Sequence, residues 1–122
     1  MATNESLIKV LTEPSSVSEF LDAVVQAADS DRGALGFFPR SVYGGFCRRG
    51  QLFVARESCS SGEVYAGHLL FDLRFPKAHV RQIYVPKTHR GRNIGRKLLT
   101  AMKSMLTEGQ FISIHARVAE DL

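Results

Sequence analysis

The segment IYVPKTHRGRNIGRKLL, from Ile83 to Leu99, decides the fold of this chain. Its first residues form an apolar run rich in β-branched and aromatic side chains, which predicts a strand that ends near Val85. Its last residues begin an amphipathic pattern, from which we predict a helix over residues 94–106. A basic turn containing Gly91 and Gly95 lies between the two. This order of strand, glycine-containing turn and helix predicts a turn that wraps a phosphate group.

The chemistry of a helix N-terminus supports that prediction. About four backbone N–H groups lack a partner there, and the aligned peptide dipoles place partial positive charge at the same end. Glycine at the points of closest approach lets the backbone curl around a ligand. Basic side chains in the segment add full charges suited to phosphate oxygens, namely Arg90, Arg92, Arg96 and Lys97.

Two other glycine-rich phosphate motifs do not fit the segment. A P-loop needs G-x-x-x-x-G-K-[ST], whereas Gly91 and Gly95 are one residue too close and no Ser or Thr follows at the required place. The dinucleotide pattern G-x-G-x-x-G is also absent, together with the acidic residue expected downstream of it. The turn therefore belongs to another class of phosphate site.

Length and composition are typical of one soluble globular domain covering residues 1–122. The hydrophobic fraction is 44% and the charged fraction is 23%. No apolar run approaches the ~18 residues that a membrane span needs, and the first residues lack the pattern of a secretory signal. Cys47 and Cys59 stand outside any cysteine motif, which favours reduced thiols and a cytoplasmic protein.

Positive charge is concentrated in one part of the chain. The net charge is +4, and between Arg74 and Lys103 there are nine Lys or Arg residues and no Asp or Glu. We therefore expect one face of the domain to attract anions. Nucleic-acid binding would also explain the charge, but the stretch lacks interleaved aromatic residues and the recognised nucleic-acid motifs, so we regard it as an unlikely partner.

The other predicted helices and strands lie before and after this segment in the sequence. The pattern "SVSE", Ser16 to Glu19, predicts a capping box that opens the first helix. Because a helix joins the last two strands, we expect them to run parallel, while the preceding strands form antiparallel hairpins. The result is an α+β fold with a mixed, mostly antiparallel sheet and helices on both faces. The predicted elements are a strand at 7–11, a helix at 16–28, a helix from Pro39 to Gly50, strands at 51–56, 64–73 and 79–85, the helix at 94–106 and a strand at 111–118.

The residues Arg90–Gly95, RGRNIG, resemble motif A of the GNAT superfamily of N-acetyltransferases, [QR]-x-x-G-x-[GA]. Val85-Pro86 precedes the motif and Leu98-Leu99 follows it, as in the family. Asn93 departs from the pattern because it stands where the family usually has Gly. Asn tolerates left-handed backbone conformations better than most residues, so we expect the turn to form. The element order also resembles the first five strands and three helices of the GNAT fold, which implies a single domain without that fold's last helix and strands.

The resemblance implies coenzyme A, or acetyl-CoA, as the cofactor. The backbone of Ile83, Tyr84 and Val85 would pair with the pantetheine arm, and a bulge in the 79–85 strand would splay it from the 111–118 strand. A backbone N–H near Val85 would polarise the thioester carbonyl. The pyrophosphate would be held by the amides of Arg90, Gly91, Arg92, Asn93, Ile94, Gly95 and Arg96.

The catalytic acid and base are unknown from the sequence. The resemblance places the usual acid, a tyrosine, on a helix that would follow Leu122. The candidate bases, Glu57, Asp72 and Glu120, are also typical of solvated carboxylates at strand ends. His79 and His115 can face the cleft, but strand histidines more often only pack. These two, His68 and His89 show no metal-ligand spacing, so no metal site is predicted.

The resemblance implies an N-acetyltransferase in which a small-molecule or peptide amine attacks acetyl-CoA directly. A non-catalytic module that binds acyl-CoA and regulates another process is the alternative. The family's substrate loop falls on residues 32–46, which are apolar and aromatic and disfavour a polycationic substrate. An open edge on the 111–118 strand also predicts a homodimer formed through that strand.

Overall fold

The computed structural model describes residues 7–30, 38–108 and 113–116. Within them, five strands form one sheet whose order in space follows the order in sequence. The first four strands pair antiparallel, and the last pair is parallel. This confirms the mixed, mostly antiparallel sheet. The strands are β1 (Leu7–Leu11), β2 (Leu52–Cys59), β3 (Gly62–Arg74), β4 (Lys77–Tyr84) and β5 (Ser113–Ala116).

Helices cover both faces of the sheet, as predicted. The long helix between β4 and β5 packs on one face, and the earlier helices pack on the other. Single 3₁₀ turns lie at Ser18–Phe20 and Lys87–His89. In the described part of the chain, no helix is long and apolar enough to cross a membrane. The helices are α1 (Pro14–Val17), α2 (Leu21–Ser30), α3 (Arg40–Arg48) and α4 (Ile94–Glu108).

Helix α4 buries the apolar stripe that its sequence predicts. The stripe packs on sheet residues such as Phe53 and Phe71, whose rings meet edge to face with centroids 5.1 Å apart. Met105 is only partly buried against the same cluster. The periodic spacing of apolar side chains therefore fixes the orientation of α4 on the sheet. The fully covered members of the stripe are Ile94, Leu98, Met102 and Leu106.

The first helix begins earlier than predicted, so the predicted capping box does not form. Pro14 is the first residue of α1, where proline's fixed φ suits a helix and its missing N–H costs nothing. Glu13 is the N-cap without a side-chain cap bond, and the backbone N–H of Ser16 donates to the Glu13 carbonyl at 3.0 Å. Ser16 therefore lies inside the helix, where its hydroxyl cannot cap the N-terminus.

The central hairpin is longer and tighter than predicted. Cys59 pairs with Gly62, so only Ser60 and Ser61 form the turn between β2 and β3. The β3–β4 register shifts between Leu70 and Phe71 of β3, whose partners are Gln82 and Val80. Arg81 is thus the extra residue of a bulge in β4, where the family resemblance implies one.

The parallel β4–β5 ladder runs from Lys77–Ser113 to Val80–Ala116. It ends one residue before the bulge at Arg81, and beyond Val80 no described strand pairs with this side of β4. The described part of β5 agrees with the predicted strand. The rest of that predicted strand, Glu120 and most of the predicted loop before α3 lie outside the described residues.

Candidate functional site

A cavity of about 370 Å³ opens at the N-terminus of α4, where the sequence places its phosphate-binding turn. It combines a strand end, a turn and the first turn of a helix in one concave surface. Its lining combines two glycines and three aliphatic side chains with one asparagine and three basic side chains. The lining residues are Val85, His89, Arg90, Gly91, Asn93, Ile94, Gly95, Arg96 and Leu99.

The turn contains two residues in the left-handed backbone region. Gly91 has φ 81° and Asn93 has φ 63°. Glycine adopts this conformation without steric cost, and Asn is among the few other residues that adopt it readily. The expectation that Asn93 preserves the turn is therefore confirmed in the backbone geometry.

Backbone amides in the turn have no backbone partner among the residues that the structure describes. The N–H of Arg90 donates to the Lys87 carbonyl at 3.4 Å, and that of Lys97 donates to the Asn93 carbonyl at 3.0 Å. The amides between them, from Gly91 to Arg96, donate to no backbone carbonyl in the described residues. The N-terminus of α4 therefore provides hydrogen-bond donors and the positive end of the helix dipole at the cavity.

The arginines of the turn have different surroundings. The Nε–H of Arg90 donates to the Val85 carbonyl at 2.8 Å, and its guanidinium lies 5.8 Å from the centre of the Tyr84 ring. This bond ties the turn to the end of β4. Arg92 points to β2, whereas Arg96 is exposed at the rim of the cavity.

Glu57 of β2 contacts the turn directly, which sequence reasoning missed. Its two carboxylate oxygens accept hydrogen bonds from His89 Nε2 and from the guanidinium of Arg92, each at 2.8 Å. The Glu57 side chain is only 12% exposed, so the expectation of a solvated carboxylate is wrong. The bond also raises the pKa of Arg92. No local pattern predicts a contact between residues more than thirty positions apart.

A buried polar network lies on the other side of β4. His68 is fully buried on β3, with Nε2 2.6 Å from Gln82 Oε1 and Nδ1 2.6 Å from the Tyr65 hydroxyl. The Tyr43 hydroxyl also donates to Gln82 Oε1, at 3.2 Å. Burial raises the pKa of Tyr43 and of Tyr65, so both hydroxyls keep their protons. Tyr65 therefore donates to Nδ1, and His68 donates from Nε2.

Desolvation lowers the pKa of His68 to about 4, against a smaller opposing effect of its bond to Gln82. The ring is therefore neutral at physiological pH. Its centroid lies 6.2 Å from that of Tyr84, the residue on which Arg90 packs. The network thus connects α3 and β3 to the end of β4.

A second depression of about 210 Å³ lies beside the bulge in β4, and it is lined by Asp72, Arg74, His79 and Arg81. Asp72 forms an ion pair with Arg81 at 3.2 Å, so the candidate base Asp72 is not simply solvated. Asp72 lies two residues from Leu70, so both face the side of the sheet that α1–α3 cover. His79 is half-buried there and pairs with His115 of β5 in the ladder.

Across residues 7–30, 38–108 and 113–116, no group of three or more His, Cys, Asp or Glu side chains is placed to hold a metal ion. Cys47 is buried and Cys59 is exposed, and both are free thiols.

The mixed sheet, the bulged β4 strand and the amide-lined turn before α4 define an acyltransferase-type α+β domain. The chain belongs to the acetyltransferase (GNAT) family, whose sequence model matches residues 20–121. It is therefore an acetyltransferase by family. No curated protein sequence matches the chain significantly.

Solved structures similar to this chain share its fold at low sequence identity. Rv2747 from Mycobacterium tuberculosis, solved with CoA, has a TM-score of 0.76 at 15% identity, covering 92% of this chain and 65% of its own. A ribosomal-protein-alanine N-acetyltransferase from Brucella melitensis biovar Abortus 2308 has a TM-score of 0.61 at 18% identity, covering 95% and 82%. An aminoglycoside acetyltransferase from an uncultured soil metagenomic sample, solved with sisomicin, has a TM-score of 0.59 at 15% identity, covering 94% and 78%.

Proposed function

We propose that this chain is an N-acetyltransferase that transfers the acetyl group of acetyl-CoA to an amine by direct attack. The observation that carries the proposal is the run of amides from Gly91 to Arg96 without backbone partners in the described part of the chain, in a segment whose residues, Arg92 excepted, line a cavity of about 370 Å³. Acetyl-CoA, when bound, supplies an activated acetyl thioester. The family membership supports this donor, and one structural neighbour was solved with CoA.

The residues of the turn fit a diphosphate. The backbone amides from Gly91 to Arg96 would receive its oxygens, and the exposed Arg96 guanidinium would add charge at the rim. The backbone of Ile83–Val85 runs from the bulge of β4 to the turn, and this stretch is our candidate to pair with the pantetheine arm. A backbone N–H near Val85 is our candidate for polarising the thioester carbonyl.

We propose His79 as the general base that takes the proton from the attacking amine. It lies on β4 two residues before the bulge, in a depression that also contains Asp72, and it is half-buried so that a proton can leave to solvent. Glu57 is poorly placed for this task because both of its oxygens already accept hydrogen bonds in the turn.

The acceptor is an amine on a small molecule or a peptide. The depression beside the bulge contains Arg74 and Arg81 as well as one carboxylate, which favours a neutral or anionic acceptor over a polycation. The names of two structural neighbours include a ribosomal-protein alanine and an aminoglycoside. A test panel should therefore contain peptide α-amines, amino acids and aminoglycosides.

Binding and turnover together test the proposal. Calorimetry with CoA, acetyl-CoA and a random oligonucleotide measures which ligand binds, and thiol release from acetyl-CoA over the amine panel measures transfer. We expect binding of both coenzymes and release with at least one amine class. Binding without thiol release would support a regulatory acyl-CoA module, and binding to the oligonucleotide alone would contradict the coenzyme site.

The variant His79→Gln tests the proposed base. We expect kcat to fall by about 10²- to 10⁴-fold, the usual contribution of general base catalysis, while the Kd for CoA stays unchanged. The unchanged Kd is the internal control for folding and cofactor binding. A variant with wild-type kcat would show that His79 is not the general base.

We further propose that residues 1–122 act as one domain in the cytoplasm and dimerise through β5. The two free cysteines support a reducing compartment. In the described sheet, β5 is an edge strand, and an unpaired edge can add a strand from a second copy. Light scattering at increasing concentration tests this, and a strictly monomeric species at high concentration contradicts it.

A further inference from the structure

The carboxylate of Glu57 bridges β2 and the turn that precedes α4. One oxygen accepts from His89 Nε2 and the other from Arg92, both at 2.8 Å. The side chains of Glu57 and His89 are only 12% and 11% exposed. Thr88 Oγ1 lies 2.9 Å from His89 Nδ1, so both ring nitrogens are engaged. Charge-assisted bonds at this burial are stronger than an ordinary surface ion pair.

The turn needs such an external support. Its amides from Gly91 to Arg96 donate to no backbone carbonyl in the described residues, so the bonds that restrain it from within are those that flank this stretch, such as the Arg90–Val85 bond. His89 and Arg92 stand on either side of Gly91, the most permissive residue of the turn. Binding both of them to one carboxylate fixes the backbone that runs between them.

We propose that Glu57 is a positioning residue that holds the 89–92 segment in the conformation that receives a diphosphate, acting through His89 and Arg92. The inference rests on the proposed coenzyme site. It assigns a role to a side chain on β2, outside the strand–turn–helix motif. A preformed turn binds its ligand without first losing conformational entropy, so losing the support lowers affinity.

The sign of the charge argues for positioning over direct binding. A carboxylate beside a diphosphate repels it, and here Arg92 offsets the negative charge of Glu57. If charge alone mattered, removing Glu57 would strengthen binding of an anionic ligand, because Arg92 would be released. If position matters more, removing Glu57 weakens binding. The two roles therefore predict opposite changes in affinity.

The test measures CoA affinity by calorimetry for the wild type, Glu57→Ala and Glu57→Gln. Glu57→Gln keeps the size of the side chain and one acceptor, which guards against a folding failure of the alanine variant. Glu63→Gln is the matched control, because Glu63 is a β3 carboxylate that pairs with Arg56 at 3.3 Å and is 51% exposed. We expect Kd for CoA to rise about 10-fold or more in Glu57→Ala, less in Glu57→Gln, and not in the control.

A second readout separates positioning from general damage. Thiol release is compared for acetyl-CoA and for S-acetylpantetheine, which lacks the diphosphate. We expect kcat/KM to fall with acetyl-CoA and to stay within about 2-fold with S-acetylpantetheine, since a donor without the diphosphate does not use the 89–92 segment. An equal loss of kcat/KM with both donors would overturn this inference but not the proposed function. Unchanged or tighter CoA binding in Glu57→Ala would have the same consequence. A wild type that binds no CoA overturns the proposed function, and the inference with it.

Discussion

Gly91 and Gly95 stand in the same turn, yet each is glycine for a different physical reason. Gly91 has φ 81°, a conformation that an L side chain adopts only with strain, although a Cβ there would meet nothing within 4 Å. Gly95 lies in the first turn of α4, and a Cβ there would meet only Ile83 Cδ1, at 3.9 Å. The fold thus requires glycine at 91 but not at 95, and the proposed coenzyme site offers close approach of a ligand as a reason for Gly95.

Alanine at these two positions should therefore have opposite effects on stability. We expect Gly91→Ala to lower the free energy of unfolding by about 1 kcal/mol through backbone strain. Gly95→Ala should raise it by up to about 1 kcal/mol, because alanine is the better helix former, while weakening CoA binding about 10-fold. Urea denaturation and calorimetry measure the two quantities. A Gly95→Ala protein that binds CoA as tightly as the wild type would remove the steric argument.

The neutral state of His68 makes stability depend on pH. The unfolded chain binds a proton at the ordinary histidine pKa of 6.5, whereas the folded chain binds it only at about pH 4. Protons therefore favour the unfolded state between these values, and stability is fully present above pH 6.5. We expect the His68 contribution to the free energy of unfolding to fall by about 3 kcal/mol from pH 6.5 to pH 4.

Urea denaturation at pH 7.5, 5.5 and 4.5 measures this dependence. The variant His68→Gln is the comparison, since it keeps a polar side chain at the site but has no titrating ring. Its stability should change much less over the same range. An identical pH dependence in both proteins would show that other groups carry the effect.

At the scale of elements, β3 approaches the end of β4 closely at Gly67. A Cβ at Gly67 would lie 2.8 Å from the Tyr84 carbonyl oxygen and 3.4 Å from Val85 Cγ2. Tyr84 is the last residue of β4 and Val85 follows it, in the stretch proposed to contact the pantetheine arm. The absence of a side chain on β3 therefore sets the position of the end of β4.

Gly67→Ala should push β4 outward. We expect a loss of about 1–3 kcal/mol in stability, as for other overpacked cores, together with weaker CoA binding. Gly44→Ala in α3 is a suitable control, because its Cβ would meet only Arg48 at 3.5 Å and alanine favours a helix. The control should be neutral or stabilising by thermal denaturation. Wild-type stability in Gly67→Ala would mean that β4 moves freely.

At the scale of the whole molecule, charge is distributed unevenly around the site. Nine basic residues lie between Arg74 and Lys103, although the net charge of the whole chain is only +4. Four of them line the cavity at the turn or the depression at the bulge, namely Arg90, Arg96, Arg74 and Arg81, so the field at the site is more positive than the net charge indicates.

Binding of an anionic coenzyme should therefore weaken with salt. The screening length falls from about 30 Å at 0.01 M to about 3 Å at 1 M ionic strength. We expect the Kd for CoA to rise steadily over this range, with a much smaller change for S-acetylpantetheine. Calorimetry at three salt concentrations measures both. An equal salt dependence for the two ligands would show that the basic field does not act on the phosphates.

Local signals in the sequence were sufficient where short-range sterics decide the structure. The apolar spacing from Ile94 to Leu106 predicted the buried face of α4, and the tolerance of Asn for left-handed φ predicted the turn at Asn93. The capping box failed although its pattern is local, because Pro14 starts the helix two residues earlier. The sequence offers two possible helix starts, one at Pro14 and one at Ser16, and only the packing around them decides which is used.

The sequence by itself determined the strand–turn–helix segment, its basic charge and the family, since these follow from neighbouring residues. Only the tertiary structure decided that Glu57 supports the turn and that His68 joins Tyr65, Gln82 and Tyr43 in a buried network. These contacts join distant parts of the chain, and they form because sheet pairing places β2, β3 and β4 side by side. Hydrogen bonds between distant residues depend on strand register, which the whole fold sets and no local pattern records.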